Sequence, residues 1–328
     1  MINKPIIIVS GEPYSVFLEI FFKILKSNFL SKYKKPLILI ASKNLVEMQM
    51  KKMNFVFKIN LIKQNQISKI QLNNAQINLI DVKLNIKKPF GKISTKFSKY
   101  INKCFNIGIK IMNNKNGFAL INGPISKKHF LKNKFIGVTE YLAYKTKKVN
   151  SEVMLIYNKS LSVSPMTTHI PLKNVHKKIS TSMIVYKIKT INQFYKNKFN
   201  KIPRFAVTGL NPHCESSFNN SEEDKIIIPA IKIAQKKSLK VKGPFAADTL
   251  FIKENLKKFD VIIGMYHDQI LAPLKTLFGF NAINLTLGLP FIRISPDHGP
   301  NNQMLGKKKS NPASLKESLI FLKKINEN

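Results

Sequence analysis

The stretch Pro5-Ile6-Ile7-Ile8-Val9-Ser10 is a short, uninterrupted apolar run, and the turn Gly11-Glu12-Pro13 follows it directly. A continuous apolar run of this length is typical of a strand that is buried on both faces of a sheet. After the turn, Ser15–Phe29 has a helical pattern. The stretch therefore predicts a strand, a turn and a helix, which is the repeating unit of an α/β fold.

The same alternation continues along the chain. Further strands are predicted at Pro36–Ala41, Ile77–Val82, Phe118–Asn122, Val153–Tyr157, Phe205–Thr208, Val261–Met265 and Ala282–Thr286. Further helices are predicted at Thr95–Met112, Val175–Phe199, Glu222–Lys237, Thr249–Phe259 and Pro312–Ile325, the last with Asn311 as its cap. This order indicates helices that cover a largely parallel sheet.

Length and composition exclude several classes of protein. The chain has 328 residues, of which 44% are hydrophobic, so it can bury a sizeable core. Its two cysteines, Cys104 and Cys214, exclude a disulfide-stapled scaffold and favour a reducing compartment. Lys, Asn or Glu interrupts every apolar stretch well short of the roughly 18 residues of a membrane span. We therefore expect a cytoplasmic protein that does not bind membranes.

The charge balance has two interpretations. With 55 Lys+Arg against 17 Asp+Glu, the net charge is +38, and such an excess is typical of nucleic-acid-binding proteins. However, 53 of the cations are lysines, and only Arg204 and Arg293 carry the planar guanidinium that base recognition favours. The lysines are also scattered along the chain, as a bias toward Lys, Asn and Ile would give. We expect no specific nucleic-acid partner.

Residues 259–306 depart from this lysine background. They contain only two cations, Lys275 and Arg293, where the average of the whole chain would give about eight. Because the segment otherwise lacks lysines, we expect the two cations that it keeps to have a function. Arg293 is suited to two-pronged binding of a carboxylate or phosphate, although a structural ion pair explains it equally well.

Three of the six histidines follow predicted strands, in the phrases Thr167-Thr168-His169, Asn211-Pro212-His213 and Met265-Tyr266-His267-Asp268. The carboxyl ends of strands are where α/β sheets bind ligands, so three imidazoles could meet there on one divalent metal. Taken singly, each is more often a loop or core histidine. No G-x-G-x-x-G and no phosphate-binding P-loop follows any strand, so a nucleotide cofactor would need another kind of site.

Taken together and in order, these phrases resemble one family, the 4-hydroxythreonine-4-phosphate dehydrogenases of pyridoxal phosphate biosynthesis. The segments that carry the resemblance are Asn122–Lys127, Gly137–Ala143, Thr168–Leu172, Gly209–His213, Gly243–Thr249, Met265–Gln269, Asn284–Pro290 and Arg293 with Ser295–Gly299. They extend over nearly the whole chain.

The resemblance implies a two-lobed α/β fold of the isocitrate/isopropylmalate dehydrogenase type, with the active-site cleft between the lobes. We expect residues 1–135 and 285–328 to form the first lobe, on the NAD side. Residues 136–284 are expected to form the second lobe, with the metal ligands and the dimer contacts. A homodimer that shares its active site is implied.

The resemblance also implies a role for each matching residue. His169, His213 and His267 are expected to bind one divalent metal, Zn, Mg or Co. Thr139, Lys275, Asn284 and Arg293 are expected to bind the phosphorylated substrate, and Asp297 and His298 the NAD. Asp248 and Asp268 are expected to be catalytic, by orienting a ligand histidine or relaying a proton. A helix N-cap is an alternative role for Asp248.

The implied reaction is NAD-dependent oxidation of 4-phosphooxy-L-threonine, followed by decarboxylation to 3-amino-2-oxopropyl phosphate. One alternative is a related dehydrogenase of a four-carbon sugar-acid phosphate. Another is a non-catalytic basic binding protein that has lost its affinity for NAD.

Four segments depart from the family pattern. The first turn, Gly11–Glu19, lacks two of the family's glycines, and Val138 replaces a histidine that holds substrate. Cys214–Asn220 replaces a glycine-punctuated turn, and Pro300-Asn301 stands where the family has Thr-Ala. Cys214 could be a fourth metal ligand or a small residue that fills a tight turn. We expect a working enzyme, because the three histidines, Lys275, Asn284 and Arg293 are all present. The four departures are expected to lie at the edges of its NAD and substrate sites.

Overall fold

A computed structural model of the chain describes residues 3–131, 134–214, 220–279, 281–296 and 298–325. The chain divides into two compact units: unit 1 takes Met1–Asn150 and Leu289–Lys324, and unit 2 takes Ser151–Gly288. The boundaries thus lie after residues 150 and 288, where 135 and 284 were expected. The helix that contains Tyr141 accounts for the first difference, because the Tyr141 ring packs edge-on against Phe105 at 5.5 Å and its hydroxyl donates to Asn102 Oδ1 at 2.7 Å.

Unit 1 contains a parallel sheet of six strands in the order β3-β4-β2-β1-β5-β12. The strands are β1 Ile6–Val9, β2 Leu37–Ala41, β3 Ile59–Leu61, β4 Ile77–Asp81, β5 Ala119–Asn122 and β12 Ile292–Pro296. The helices are α1 Phe17–Lys26, α2 Lys43–Lys52, α3 Ser98–Asn113, α4 Val138–Lys145 and α10 Ala313–Lys324. β1 lies inside this sheet with all four residues buried, as its continuous apolar run predicts.

Unit 2 contains six strands in the order β11-β6-β7-β10-β8-β9. The strands are β6 Val153–Tyr157, β7 Ser162–Pro165, β8 Phe205–Thr208, β9 Val241–Phe245, β10 Val261–Gly264 and β11 Ile283–Leu287. β7, β10, β8 and β9 are parallel neighbours, whereas β6 pairs antiparallel with both β7 and β11. The helices are α5 Thr181–Phe199, α6 Ile228–Lys236, α7 Ala247–Leu250, α8 Lys253–Leu256 and α9 His267–Phe278.

All eight predicted strands are present, so the expected largely parallel α/β arrangement is confirmed. One predicted helix is wrong: Thr249–Phe259 is replaced by the two short helices α7 and α8, because Ile252 between them has an extended backbone (φ −67°, ψ 141°). The cap at Asn311 is confirmed, since its Oδ1 accepts from the Ala313 N–H at 2.9 Å. Within the described residues, no helix has the length and apolar character needed to cross a membrane.

Candidate active site

In unit 1, a buried arginine lies within the sheet itself. Arg293 is the second residue of β12, only 2% of it is exposed, and it pairs with Leu120 of β5. Its Nε donates to Asn122 Oδ1 at 2.8 Å, and its Nη1 donates to Thr139 Oγ1 at 3.4 Å. The Asn122 amide is fixed in turn, because its Nδ2 donates to the Gly123 carbonyl at 2.9 Å. The predicted substrate residues Thr139 and Arg293 are therefore in contact.

A carboxylate lies close enough to this arginine to affect its ionisation. Burial lowers the pKa of Arg293 to about 10, and the nearby negative charge of Glu140 acts in the opposite direction. The guanidinium therefore stays positive at neutral pH in surroundings where water screens it poorly. A fixed, poorly screened cation of this kind is suited to a phosphate or carboxylate.

The first turn of unit 1 packs directly beneath the end of β5. Gly11 has φ +76°, and a Cβ there would lie 2.4 Å from the Pro124 carbonyl oxygen, so only glycine fits. The Glu12 N–H donates to the same oxygen at 2.8 Å. The Glu12 carboxyl is 2% exposed and its Oε2 lies 3.5 Å from the Ser126 N–H, while burial raises its pKa to about 7. A buried carboxyl thus contacts the segment that follows β5, the strand whose last residue, Asn122, bonds Arg293.

Of the two predicted NAD residues, His298 lies in the described part of unit 1 and Asp297 lies outside it. The His298 ring stacks on Phe17 of α1, with 6.3 Å between ring centres and 24° between planes. The Val16 N–H donates to the Pro300 carbonyl at 3.1 Å. The segment after β12 therefore packs on the start of α1, next to the turn whose glycines differ from the family pattern.

In unit 2, two of the three predicted metal ligands lie side by side. β7 and β10 are neighbouring parallel strands in which Pro165 pairs with Gly264, so both chains leave the sheet at the same edge. The rings of His169 and His267, which follow these strands, have their centres 5.6 Å apart. His267 Nδ1 lies 2.6 Å from Asp268 Oδ1. An imidazole whose other nitrogen is bonded to a carboxylate is the usual form of a metal-ligating histidine, so this pair fits a divalent metal.

His213 follows β8 but does not join this pair within the chain. Among the described residues, no group of three or more His, Cys, Asp and Glu side chains is arranged to hold a metal ion. His213 is exposed and has a left-handed backbone, with φ 58°. The structure thus brings two of the three predicted ligands together, and the third is presented separately.

A half-buried glutamine and a buried lysine fix the strand ends that carry these histidines. Gln269 Oε1 accepts from the Met265 N–H at 2.7 Å and from Thr208 Oγ1 at 2.8 Å, and its Nε2 donates to the Gly209 carbonyl at 2.7 Å. One amide therefore links the end of β8 to the end of β10. Lys187 of α5 donates to the carbonyl of Pro165 at 2.6 Å and to that of Met166 at 3.0 Å, just before His169.

The remaining predicted residues lie in unit 2. Lys275 is exposed on α9, eight residues after His267. Asn284 of β11 has a buried Oδ1 with no hydrogen-bond partner among the described residues, so it can still accept one. Asp268 is 83% exposed beside His267. Asp248 Oδ1 accepts from the adjacent Thr249 N–H at 2.8 Å, but Asp248 is the second residue of α7 and Ala246 is its N-cap, so the alternative role of Asp248 as a helix N-cap is wrong.

Four residues around these sites are not evident from the sequence. Asn122 and Gln269 lie inside motifs that were recognised, yet nothing in the sequence showed what their amides contact. Glu140 belongs to another such motif. Lys187 could not have been found, because it is one of 53 lysines and only its burial, at 8% exposure, distinguishes it.

Comparison with known proteins places these residues in a family. Residues 32–321 match the family described as "Pyridoxal phosphate biosynthetic protein PdxA". The chain is 36% identical over 326 residues to a 4-hydroxythreonine-4-phosphate dehydrogenase of Sulfurihydrogenibium sp., with 97% of this chain and 98% of the relative covered. It is 34% identical over 235 residues to a D-threonate 4-phosphate dehydrogenase of Cupriavidus necator, with 70% of each covered.

Solved structures show the same relationship. A crystal structure of 4-hydroxythreonine-4-phosphate dehydrogenase from Klebsiella pneumoniae matches with a TM-score of 0.84 and 27% identity, over 98% of this chain and 99% of that one. An isocitrate dehydrogenase from Methylococcus capsulatus matches with a TM-score of 0.50 and 10% identity, over 100% of this chain and 86% of that one, which shows the fold alone. The expected fold class is confirmed.

Proposed function

The chain is a dehydrogenase that belongs to the family of the pyridoxal phosphate biosynthetic protein PdxA, and from that premise we propose that it oxidises 4-phosphooxy-L-threonine with NAD. The carbon that bears the hydroxyl gives a hydride to NAD, and the hydroxyl oxygen loses its proton. The ketone formed is β to the carboxylate. Loss of CO2 and protonation of the carbon then give 3-amino-2-oxopropyl phosphate.

The buried guanidinium of Arg293 is the observation that supports this proposal most. Its position is fixed by Asn122 and Thr139, and it is charged at neutral pH, so it can hold a substrate anion without reorganising. We assign Thr139, Lys275, Asn284 and Arg293 to the phosphorylated substrate. The buried Oδ1 of Asn284 supports its assignment, because a substrate N–H or O–H would give it the partner that the described residues do not.

We propose that His169, His213 and His267 hold a divalent metal, Zn, Mg or Co. The adjacent rings of His169 and His267 support this assignment. The separate position of His213 favours a homodimer in which a second copy of the chain supplies the third imidazole. A divalent metal bound there would act as a Lewis acid toward the oxygen of the hydroxyl that is oxidised.

Asp268 and Asp248 have separate roles in this proposal. Asp268 accepts from His267 Nδ1 and so fixes the tautomer that leaves Nε2 available as a ligand. Asp248 is exposed in the first turn of α7 and takes up or releases a proton during the reaction. Asp297 and His298 are assigned to NAD binding, and the His298 ring stacks on Phe17.

The reaction is tested by following NADH formation from 4-phosphooxy-L-threonine with added Zn²⁺, Co²⁺ or Mg²⁺. We expect turnover that depends on both NAD and metal, and a thermal shift with NAD and metal. A folded, metal-supplied protein that gives no NADH contradicts the proposal. If it also shows no thermal shift with NAD and binds DNA or RNA with strong salt dependence, a non-catalytic basic binding protein is indicated instead.

A second candidate substrate is a four-carbon sugar-acid phosphate. The relative named D-threonate 4-phosphate dehydrogenase favours it, and so does Val138, which cannot form the hydrogen bond of the histidine expected at its position. Comparing kcat/KM for 4-phosphooxy-L-threonine and D-threonate 4-phosphate under the same conditions decides between them. We expect the first to be the better substrate.

A further inference from the structure

The loop that carries His213 has an unfavourable backbone. Both His213 and Cys214 have φ 58°, a left-handed conformation that is uncommon for residues other than glycine. His213 is exposed, so burial of its own side chain does not hold it in place. Such a conformation persists only where neighbouring contacts determine the backbone.

Glu223, at the start of the helical segment that leads into α6, holds Leu210 and Asn211, the part of the loop that lies just before His213. Its Oε1 accepts from the Leu210 N–H at 2.7 Å and from the Asn211 N–H at 2.9 Å. Its Oε2 accepts from Asn211 Nδ2 at 2.8 Å. Glu223 is 2% exposed, so these bonds are shielded from water.

Gly209 makes this approach possible. A Cβ at Gly209 would lie 2.9 Å from Glu223 Oε1 and 2.6 Å from Cys214 Sγ. Gly209, the first residue of the loop, therefore lies close to both the Glu223 carboxylate and the Cys214 thiol. No ion pair among the described residues involves Glu223, so hydrogen bonds alone hold its charge in the interior.

We propose that Glu223 is a positioning residue, whose buried carboxylate holds Gly209–Asn211 and thereby presents His213 for metal binding. The inference rests on the proposed function for the role of His213. It goes beyond that function because the hydrogen bonds of Glu223 go to Leu210 and Asn211, which are not among the residues assigned to the metal or the substrate. In the sequence, Glu223 is notable only because it is one of 17 acidic residues in a chain of 328.

The test compares Glu223→Gln with Glu222→Gln. Glu222 is a matched control, because its Oε2 accepts from the Asn211 side chain at 3.0 Å and, within the described ranges, from no backbone N–H of the loop. In Glu223→Gln, the new amide N–H2 faces the Asn211 amide donor, so the carboxylate bonds cannot all be replaced. We expect the Leu210 and Asn211 amides to exchange their hydrogens at least about 10-fold faster in Glu223→Gln, and near the wild-type rate in Glu222→Gln.

The functional readouts are Co²⁺ affinity, from the absorption of the bound ion, and kcat and KM measured separately. We expect Glu223→Gln to weaken Co²⁺ binding by roughly 10- to 100-fold. It should lower kcat with little change in the KM for the phosphorylated substrate, and excess metal should restore part of kcat. If Glu223→Gln does not fold, Asn211→Ala removes one bond to the same carboxylate and should weaken Co²⁺ binding by a few-fold.

Two results overturn the inference in different ways. Faster exchange at Leu210 and Asn211 with unchanged Co²⁺ affinity and kcat would show that Glu223 has only a structural role, and the proposed function would stand. Wild-type protein that binds no Co²⁺ and gives no NADH would overturn both the positioning role and the proposed function.

Discussion

In unit 1, Arg293 is part of a strand and only 2% of it is exposed, whereas in unit 2 His169 and His213 are exposed on loops that follow their strands. The arginine is therefore held by its own place in the sheet and by bonds to Asn122 and Thr139. The histidines depend on other side chains, namely Lys187, Gln269 and Glu223, which bond the backbone just before them. A substitution in unit 1 should act on the ligand directly, and one in unit 2 should act through the loop.

The two units also differ in how their buried carboxyls are hydrogen-bonded. Glu12 in unit 1 and Glu223 in unit 2 are each 2% exposed. Burial raises the pKa of Glu12 to about 7, because only the distant Ser126 N–H opposes it. Burial acts in the same direction on Glu223, but the bonds from the Asn211 N–H and side chain and the Leu210 N–H outweigh it and lower the pKa. Hydrogen bonds, and not depth of burial, decide which carboxyl is charged.

The largest effect is expected from Arg293→Met. The substitution removes the buried cation that is assigned to the substrate anion, so kcat/KM should fall by about 1,000-fold, roughly 4 kcal/mol. Arg293→Lys keeps the charge but not the planar fork, and we expect it to lie between Met and wild type. Steady-state NADH kinetics measure both.

Arg204→Met is the control for this comparison. Arg204 is the other arginine of the chain, its side chain is 48% exposed, and it pairs with Asp260 at 3.1 Å. We expect its kcat/KM to stay within about twofold of wild type, since a surface ion pair is worth only about 0–1 kcal/mol. Equal losses in the two arginine variants would show that Arg293 matters only for folding.

The second effect concerns pH and the free energy of unfolding. The folded pKa of Glu12, about 7, lies above the ordinary value of 4.5. The folded state therefore keeps a proton that the unfolded chain releases, and this contribution to stability is complete below pH 4.5 and lost as pH rises to 7. The shift corresponds to roughly 3 kcal/mol.

Glu12→Gln should abolish that decrease, which is measured by denaturant unfolding at several pH values between 4.5 and 8. Glu47→Gln is the matched control, because Glu47 is half-exposed in an ion pair with Lys43 and should leave the pH profile unchanged. A pH profile that is identical in wild type and Glu12→Gln would mean that Glu12 is ionised in the folded protein.

The sequence predicts strands that are apolar on both faces, but it does not predict contacts between distant segments. Strands such as Ile6–Val9 are predictable because both faces are apolar. β12 is not, since Arg293 interrupts its apolar pattern, and β7, Ser162–Pro165, is buried although two of its residues are serines. Motifs identify His169, His213 and His267, but they do not reveal the left-handed backbone of His213 or the bonds that Glu223 accepts from Leu210 and Asn211. Such contacts arise only when distant segments pack together.

The smallest effect is expected from Gln269→Glu, which tests how the loops of unit 2 are held. The introduced carboxylate still accepts from the Met265 N–H and Thr208 Oγ1. It cannot donate to the Gly209 carbonyl, because a carboxylate oxygen replaces the Nε2 that lies 2.7 Å from the carbonyl oxygen. Loss of this buried bond should cost about 1–2 kcal/mol of unfolding free energy. The kcat should fall by a few-fold, because Gly209 begins the loop of His213.

The deficit should shrink as the pH falls below about 5, since the protonated carboxyl can again donate a hydrogen bond. Gln193→Glu on α5 is the control: its Nε2 donates to Asn197 Oδ1 on an exposed face, so the same change of charge should cost less than about 0.5 kcal/mol at any pH. If the two variants behave alike, the amide of Gln269 does not hold the strand ends, and the loops of unit 2 are fixed by backbone pairing alone. A loss confined to Gln269→Glu and relieved by acid identifies the donated hydrogen bond, rather than the added charge, as what orders the loop.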